Sequence, residues 1–476
     1  MGNELYTLPA QLESVRIQLT DGSQRSLWGN TTESAVLIAE TRQYNRRIYC
    51  MAIGAESLTF GRPSSWSATV DKLIFNDGEN YRLMVIAAGN VQPLEKSGYP
   101  TRNLATLLHD PAQARNAITV GAMCNYEEAV NSPTDTLEVF AKKGELSPHS
   151  RTHAARNDAI KPDIVCEGGN VAWDGLMACS ELEGLAILTT YTDYIRNDPY
   201  NLIGGTSPAA AEASRILAQI WEANPELKPT TVRALLIHSA DWTDAMKSQF
   251  PNKKDLFRAC GYGTPNVYAA CRSAKSAVTL VSEGSLRPYY RERIMGKRGR
   301  MKWGEWKRDI ILFDLPWPED DLNQLGELPV ELRVTLSYFS EPNPKNVLRA
   351  YEGMGLEWDL QRADETTDQF IKRINHAERE EGESGFESSK DWKIGKQARS
   401  RGTIQSDGWS GLAVELASRK KLAVYPTGGW WGATDNQIVP FSLVVSVKTE
   451  DTELDLYNKV GLQISNSVVT SVDIES

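Results

Sequence analysis

The sequence predicts an α/β chain, with a doubly wound, mostly parallel sheet over residues 1–284 and an antiparallel β-sandwich over 285–476. Three observations predict it. In the first part, short apolar runs alternate with helix-length periodic segments. In the second, strand-like runs follow one another between Gly, Pro and Asn turns. And 41% of the 476 residues are hydrophobic, enough to fill two cores.

The elements can be justified in order. "ESAVLIAETRQYN" reads as a helix and "RIYCMAIG" as a short strand. "SSWSATVDKLIFND" reads as a helix with a serine start, and "YRLMVIAAGN" as a strand ending in Gly-Asn. "NAITVGAM" and "KPDIVCEGG" are further buried strands. "AAAEASRILAQIWEAN" and "TTVRALLIHSA" are helices, the second with a threonine cap. In the second part "RDIILFDL", "VELRVTLSYF", "GLAVELA", "KLAVYPTGGWW", "PFSLVVSVKT" and "ELDLYNKVGLQIS" read as strands. A charged insertion near 363–395 reads as one amphipathic helix and a loop. The basic connector "RERIMGKRGRMKWGEWKR" should be a solvated linker whose tryptophans pack on the sandwich.

Charge and cysteine usage narrow the function classes. Lys and Arg number 52 and Asp and Glu 62, a net charge of −10, so no nucleic-acid partner is expected. No apolar run reaches the roughly 20 residues of a membrane span, so no membrane partner is expected either. The N-terminus lacks the progression of a signal peptide. Six cysteines without CxxC spacing suit a reducing compartment, so a cytoplasmic location is expected. No ligand set for calcium or zinc has the required spacing, and no cofactor is expected.

The chemistry gathers at "NLIGGTSPAAAEA". Gly204 and Gly205 permit a sharp turn, and Pro208 suits the first helical position. Ser207 then stands at the positive end of a helix, where its N–H can hold a developing oxyanion while its hydroxyl attacks. A serine there can also be only a helix cap. Asn90 ends a strand after the small residues Ala87, Ala88 and Gly89, a placement that suits a neutral donor to an oxyanion. Asn after Gly is equally a turn residue.

"VIAAGN", "NAITVGA", "KPDIVCEGG", "GGTSPAAAEA", "VRALLIHSA" and "GYGTPNVYAA" occur in the order seen in subtilisin-like serine peptidases, the subtilases. The resemblance covers about residues 48–275. It implies that Ser207 is the nucleophile and Asn90 the oxyanion-hole amide. It also implies that Ala52, Ile53 and Gly54 pair with substrate backbone, and that Ala87, Ala88 and Gly89 wall the pocket beside the scissile bond. The implied substrate is a polypeptide. The later part resembles, less specifically, the companion sandwich of a bacterial subgroup of large intracellular subtilases.

The chain departs from the family in one respect. Subtilases place an Asp strand and an "HGT" helix before the "AAGN" strand, and here no histidine precedes Asn90. His109 reads as a loop residue, His149 and His153 as residues of a solvated loop, and His238 as a packed or surface helix residue; His376 lies in the insertion. Without a base, a serine hydroxyl is a weak nucleophile. One explanation is an N-terminally truncated enzyme, inactive alone, whose His and Asp come from a complementary N-terminal fragment or chain. A second is a pseudopeptidase that keeps the cleft as a peptide-binding scaffold. A third is an acidic base of the sedolisin kind, against which Asn90 speaks.

Overall fold

The structure, a computed structural model, describes residues 10–17, 27–41, 46–92, 95–129, 137–153, 159–191, 199–273, 279–295, 301–315, 317, 319–343, 351–377, 391–432, 437–449 and 467–473. It divides into two compact units, Met1–Cys271 and Arg272–Ser476.

In the first unit α1 (Trp28–Glu40), β1 (Ile48–Met51), α2 (Ser65–Phe75), β2 (Leu83–Ala87), α3 (Thr101–Ala105), β3 (Ile118–Met123), β4 (Glu138–Val139) and β5 (Ile164–Glu167) follow in order. Then come β6 (Ala172–Trp173), β7 (Ala178–Cys179), β8 (Ile187–Thr190), β9 (Tyr200–Ile203), α4 (Thr206–Ala223), α5 (Pro229–Ser239), α6 (Asp244–Gln249), α7 (Lys253–Cys260) and α8 (Val267–Ser273). The parallel sheet runs β1-β2-β3-β5, a sequential order without reversal among the described strands. Every residue of β2 and β3 is buried, which is why both read as unbroken apolar runs. α4 lies against all four strands. Its Ala209, Ala210 and Ala213 are fully buried, and small side chains on that face let the helix axis approach the sheet.

Local signals hold at α2 and give way elsewhere. Ser64 caps α2 reciprocally with Ser67, each hydroxyl accepting the other's N–H (3.0 and 2.7 Å). The expected threonine cap of α5 is absent, because Pro229 already occupies the first helical position and Thr230 and Thr231 lie inside the helix. Pro208 is likewise not first in α4, which starts at Thr206.

The second unit contains β10 (Thr279–Leu286), β11 (Arg293–Met295), β12 (Met301–Trp303), β13 (Lys307–Asp314), α9 (Glu319–Leu325), β14 (Pro329–Tyr338) and β15 (Gly355–Leu360). It continues with α10 (Thr367–Ala377), α11 (Lys396–Arg399), β16 (Ile404–Leu412), α12 (Ala413–Ser418), β17 (Lys421–Thr427), β18 (Val439–Thr449) and β19 (Ser467–Asp473). Two four-stranded antiparallel sheets form, β10-β18-β14-β16 and β15-β17-β13-β19. Phe313 of one meets Phe441 of the other edge-to-face at 6.2 Å. Arg399, 2% exposed, stacks on Trp358 (3.7 Å) and Trp392 (4.6 Å) and pairs with buried Asp407 at 3.0 Å.

Two expectations change here. "GLAVELA" forms the end of β16 and α12 rather than a strand. Glu415 accepts the Leu412 N–H at 3.2 Å and starts a helix that buries Ala413, Leu416 and Ala417. Trp303 of the basic connector is 51% exposed, with Arg291 and Arg293 each 5.2 Å from its ring. The strand expected at "ELDLYNKVGLQIS" lies outside the described residues, as does the insertion from 378 to 390.

The amphipathic helix of the insertion is α10. Its Phe370 and Ile374 are buried with Ile310, Leu312, Ala423 and Tyr425. Phe370→Ala is expected to lower the stability of this unit by about 3–5 kcal/mol, read from its denaturant unfolding midpoint.

Candidate active site

Strand ends deliver the site. The carboxyl end of β1 runs into Ala52, Ile53 and Gly54, all exposed. The carboxyl end of β2 runs into buried Ala88 and Gly89 and exposed Asn90. In parallel sheets this rim is where ligands bind. β9 arrives at the same rim, turns at Gly204 and Gly205, and enters α4, whose second residue is Ser207.

The turn is built from close approaches that exclude side chains. Gly205 has φ +122° and ψ −172°, a region open essentially to glycine. A Cβ there would meet Asn90 Nδ2 at 2.7 Å. A Cβ on Gly204 would meet His149 Nε2 at 2.7 Å. Gly205 N–H donates to the Gly168 carbonyl at 2.7 Å, and a Cβ on Gly168 would fall 2.6 Å from the Gly205 oxygen.

Asn90 is oriented by the residue before the serine. Its Oδ1 accepts the Thr206 N–H at 2.8 Å and the Thr206 hydroxyl at 2.9 Å. Two donors on one atom fix which end of the carboxamide is oxygen. Thr206 Oγ1 in turn accepts the Gly89 N–H at 3.0 Å. Neither Asn90 Nδ2 nor the Ser207 N–H has an acceptor among the described residues. Two unpaired donors thus stand at the positive end of an 18-residue helix.

Ser207 is half-buried, and its hydroxyl points toward the Ala52 carbonyl in a long, exposed contact of 3.5 Å. It contacts no imidazole or carboxylate by hydrogen bond among the described residues. Ile53 and Gly54 engage no other backbone group among the described residues. The second wall differs. Ala88 donates to Val120 and accepts from His109 (both 2.9 Å), and the Gly89 carbonyl accepts from Arg151 N–H at 3.1 Å. The backbone at 88–89 is therefore engaged within the protein, whereas that at 53–54 is left open among the described residues.

The histidines of this region are not solvated. His149 is 7% exposed and lies under the Gly204 turn, its Nε2 without a hydrogen-bond partner. Burial pushes its pKa down from 6.5 to about 4. Its carbonyl accepts the Val91 N–H at 2.7 Å and Ser150 bridges Asn90, so this segment braces Asn90 from behind. Burial likewise lowers half-buried His153 to about 4. His109 follows α3 in a loop, its Cβ 3.0 Å from where a Cβ on Gly54 would be and its ring 2.4 Å from that of Gly89, filling the space between the two walls. Burial and Arg151 lower its pKa. His238 is buried in α5, and the side chain of His376 lies outside the described residues. Sequence reasoning missed His149 and His109 as members of the site. The one available signal was the Gly204–Gly205 pair, which demands something large beside it.

Two outcomes are expected. A neutral buried His149 has a folded pKa below its unfolded value, so the unfolded chain gains the proton first as pH falls. Stability is then full above about pH 6.5 and declines toward pH 4, by about 3 kcal/mol for His149 alone. His149→Gln should reduce, and not abolish, the slope of unfolding free energy over that window, because His153 titrates with the same sign. Gly204→Ala should lower the melting temperature by several degrees through its clash with the imidazole.

With this geometry the family comparison can be read. A model described as the subtilase family matches residues 8–263. The chain is 25% identical over 445 residues to an uncharacterized protein, y4bN, of Sinorhizobium fredii, covering 89% of this chain and 96% of that one. A protease of Pseudoalteromonas arctica PAMC 21717 matches at 18% identity and a TM-score of 0.29, over 47% of this chain and 50% of its own. MycP1 of Mycobacterium smegmatis matches at 16% identity and a TM-score of 0.30, over 53% of this chain and 59% of its own. This chain thus spans between half and two thirds of the length of those two structures. The family match takes in more than half of the chain's 476 residues, and the chain belongs to the subtilase family.

Proposed function

We propose that the chain carries the nucleophile and oxyanion hole of a serine endopeptidase, and that the proton acceptor, a His with its Asp, comes from a complementary N-terminal segment or separate chain. Membership of the subtilase family supports a serine peptidase kind of function. The observation that carries the finer reading is Asn90 Oδ1 pinned by Thr206 while Asn90 Nδ2 and the Ser207 N–H remain unpaired among the described residues. Ser207 Oγ attacks the scissile carbonyl and passes its proton to the supplied imidazole. The new oxyanion accepts hydrogen bonds from the two free donors. The leaving amine takes the proton back, and water then hydrolyses the acyl-enzyme. Ile53 and Gly54 hold the substrate strand.

A docking partner has a place to bind. β1 ends the parallel sheet with one side unpaired among the described residues, and Leu37 and Ile38 of neighbouring α1 are exposed. An open edge beside apolar side chains favours an added strand. We further propose that the two antiparallel sheets of the second unit form a β-sandwich, to which the Phe313–Phe441 contact lends support. One observation favours a second reading, an inactive peptide-binding pseudopeptidase: the Ser207 hydroxyl lies 3.5 Å from the Ala52 carbonyl and meets no base among the described residues.

A fluorophosphonate probe separates the two. It is expected to label Ser207 when a fragment bearing an Asp strand and an HGT helix is supplied, with labelling lost in Ser207→Ala. Peptide binding without labelling under any condition would instead establish the pseudopeptidase. In the reconstituted enzyme Asn90→Ala is expected to lower kcat about 10²–10³-fold. Asn90→Asp, which keeps the acceptor for Thr206 and loses the donor, should lower kcat at least as much while preserving the melting temperature. A mild effect of both would displace the oxyanion hole from Asn90.

A further inference from the structure

In the second unit the basic connector folds into a hairpin. β11 and β12 form a two-stranded sheet of their own, with Arg293 opposite Trp303, Ile294 opposite Lys302 and Met295 opposite Met301. All six residues are exposed, Met295 by 70%, Met301 by 56% and Ile294 by 42%. A lone hairpin is only marginally stable in water. This one is braced at its base. Tyr290 and Lys307 exchange two backbone hydrogen bonds of 2.9 Å, and the Gly304 N–H donates to the Glu292 carbonyl at 2.9 Å. Arg291 stacks on Trp306 at 4.2 Å, and Tyr289 meets the same ring edge-to-face at 6.5 Å.

Residues directly opposite each other share a face. One face of the hairpin therefore carries Met295, Met301, Arg293 and Trp303, and the other carries Ile294 and Lys302. Charge is one-sided. Residues 291–303 include six Lys or Arg and one Glu, in a chain of net charge −10. That glutamate, Glu292, lies 3.3 Å from Lys307, outside the two strands. Cations on an exposed strand edge keep it from pairing with other edges, which accounts for the arginines and lysines. It does not account for two methionines and an isoleucine held in water beside them.

We propose that the β11–β12 hairpin docks on an anionic lipid surface. Met295 and Met301 enter the acyl boundary, Arg293 and Lys302 meet the headgroup anions, and Trp303 lies between. Charge of this sign calls for an anionic partner, and a nucleic acid and a bilayer both supply one. The uncharged side chains separate them. A nucleic acid would use an open aromatic ring for base stacking, and Trp303 already has Arg291 and Arg293 each 5.2 Å from its ring centre. A bilayer takes flexible thioether side chains, an interfacial tryptophan and flanking cations together. The absence of a spanning run led the sequence reading to expect no membrane partner, and surface docking needs no such run.

Vesicle flotation with the whole chain tests the hairpin. The probes are vesicles of phosphatidylcholine alone and of phosphatidylcholine mixed with phosphatidylserine. Binding to the mixed vesicles is expected to be at least about tenfold tighter than to the neutral ones, and high salt should remove most of that preference. Arg293→Gln combined with Lys302→Gln should weaken binding to the mixed vesicles about tenfold. Met295→Ser combined with Met301→Ser should weaken it by a similar factor and leave the preference for phosphatidylserine in place. All four positions are exposed, so the melting temperature should not change in either variant. Absence of vesicle binding, binding indifferent to phosphatidylserine, or binding unchanged by the methionine pair would overturn the proposal. A thymidine oligonucleotide is the second anionic probe. Its binding in the absence of vesicle binding would overturn the lipid reading and assign the hairpin to nucleic acid.

Discussion

The hydrogen bonds from Thr206 to the Asn90 carboxamide oxygen tie the end of β2 to the start of α4. They are short-range, yet they join residues 116 apart in sequence. Thr206 does three things at once. Its N–H satisfies one of the unpaired donors of the helix start, its hydroxyl bonds the same oxygen, and it accepts from Gly89. The consequence is electrostatic. With the oxygen held down, the amide hydrogens of Asn90 are the part left to face a ligand. They share that role with the Ser207 N–H, and the helix dipole reinforces both.

This tie works only if the chain can be brought close enough, and close approach is what the glycines provide. Gly204 and Gly205 each lack a side chain because a specific atom, His149 Nε2 or Asn90 Nδ2, occupies its place. His149 fills space under the turn at the expense of an unpartnered buried nitrogen. A buried polar atom without a partner costs on the order of 1–3 kcal/mol. The chain sustains that cost where Asn90 and the turn must both be held, the kind of place where strain and unmet polarity tend to collect.

What was legible in the sequence was what is decided locally. β2 and β3 read as strands because they are buried on both faces and so uniformly apolar. The placement of Ser207 at a helix start and of Asn90 at a strand end was legible because Gly-rich turns there leave composition signals. The misreadings come from contacts that polarity, alternation and residue type do not reveal. "SPHSRTH" is polar along its length and reads as solvated, but its backbone groups pair with Asn90 and Val91 and its imidazole is enclosed by a turn more than 50 residues later. "GLAVELA" alternates like a strand, and one carboxylate, Glu415, bonding back to Leu412 decides for helix. Trp303 reads as a core residue by type, yet two arginines over its ring satisfy it at the surface. The first outcome depends on a partner more than 50 residues away; in the other two the deciding partner stands within the same stretch, and alternation or residue type does not reveal the contact.

The two halves of serine hydrolysis place different demands on a fold. An oxyanion hole must be preorganised, since its benefit lies in donors that do not have to rearrange when charge appears. Under the proposed function that demand is met by the Ser207 N–H and the Asn90 carboxamide, held within one compact unit. Proton transfer asks only that a base of suitable pKa reach hydrogen-bonding distance of the hydroxyl during reaction. A base can meet that condition from another segment that docks on the same rim. Oxyanion stabilisation and substrate binding persist when a triad is disabled, worth roughly 10³–10⁴-fold over water, so the halves are separable in energy as well as in space. Under the proposed function, the chain holds the first half in order, and the Ser207 hydroxyl, loosely held at 3.5 Å from the Ala52 carbonyl, is able to turn and donate to an incoming imidazole.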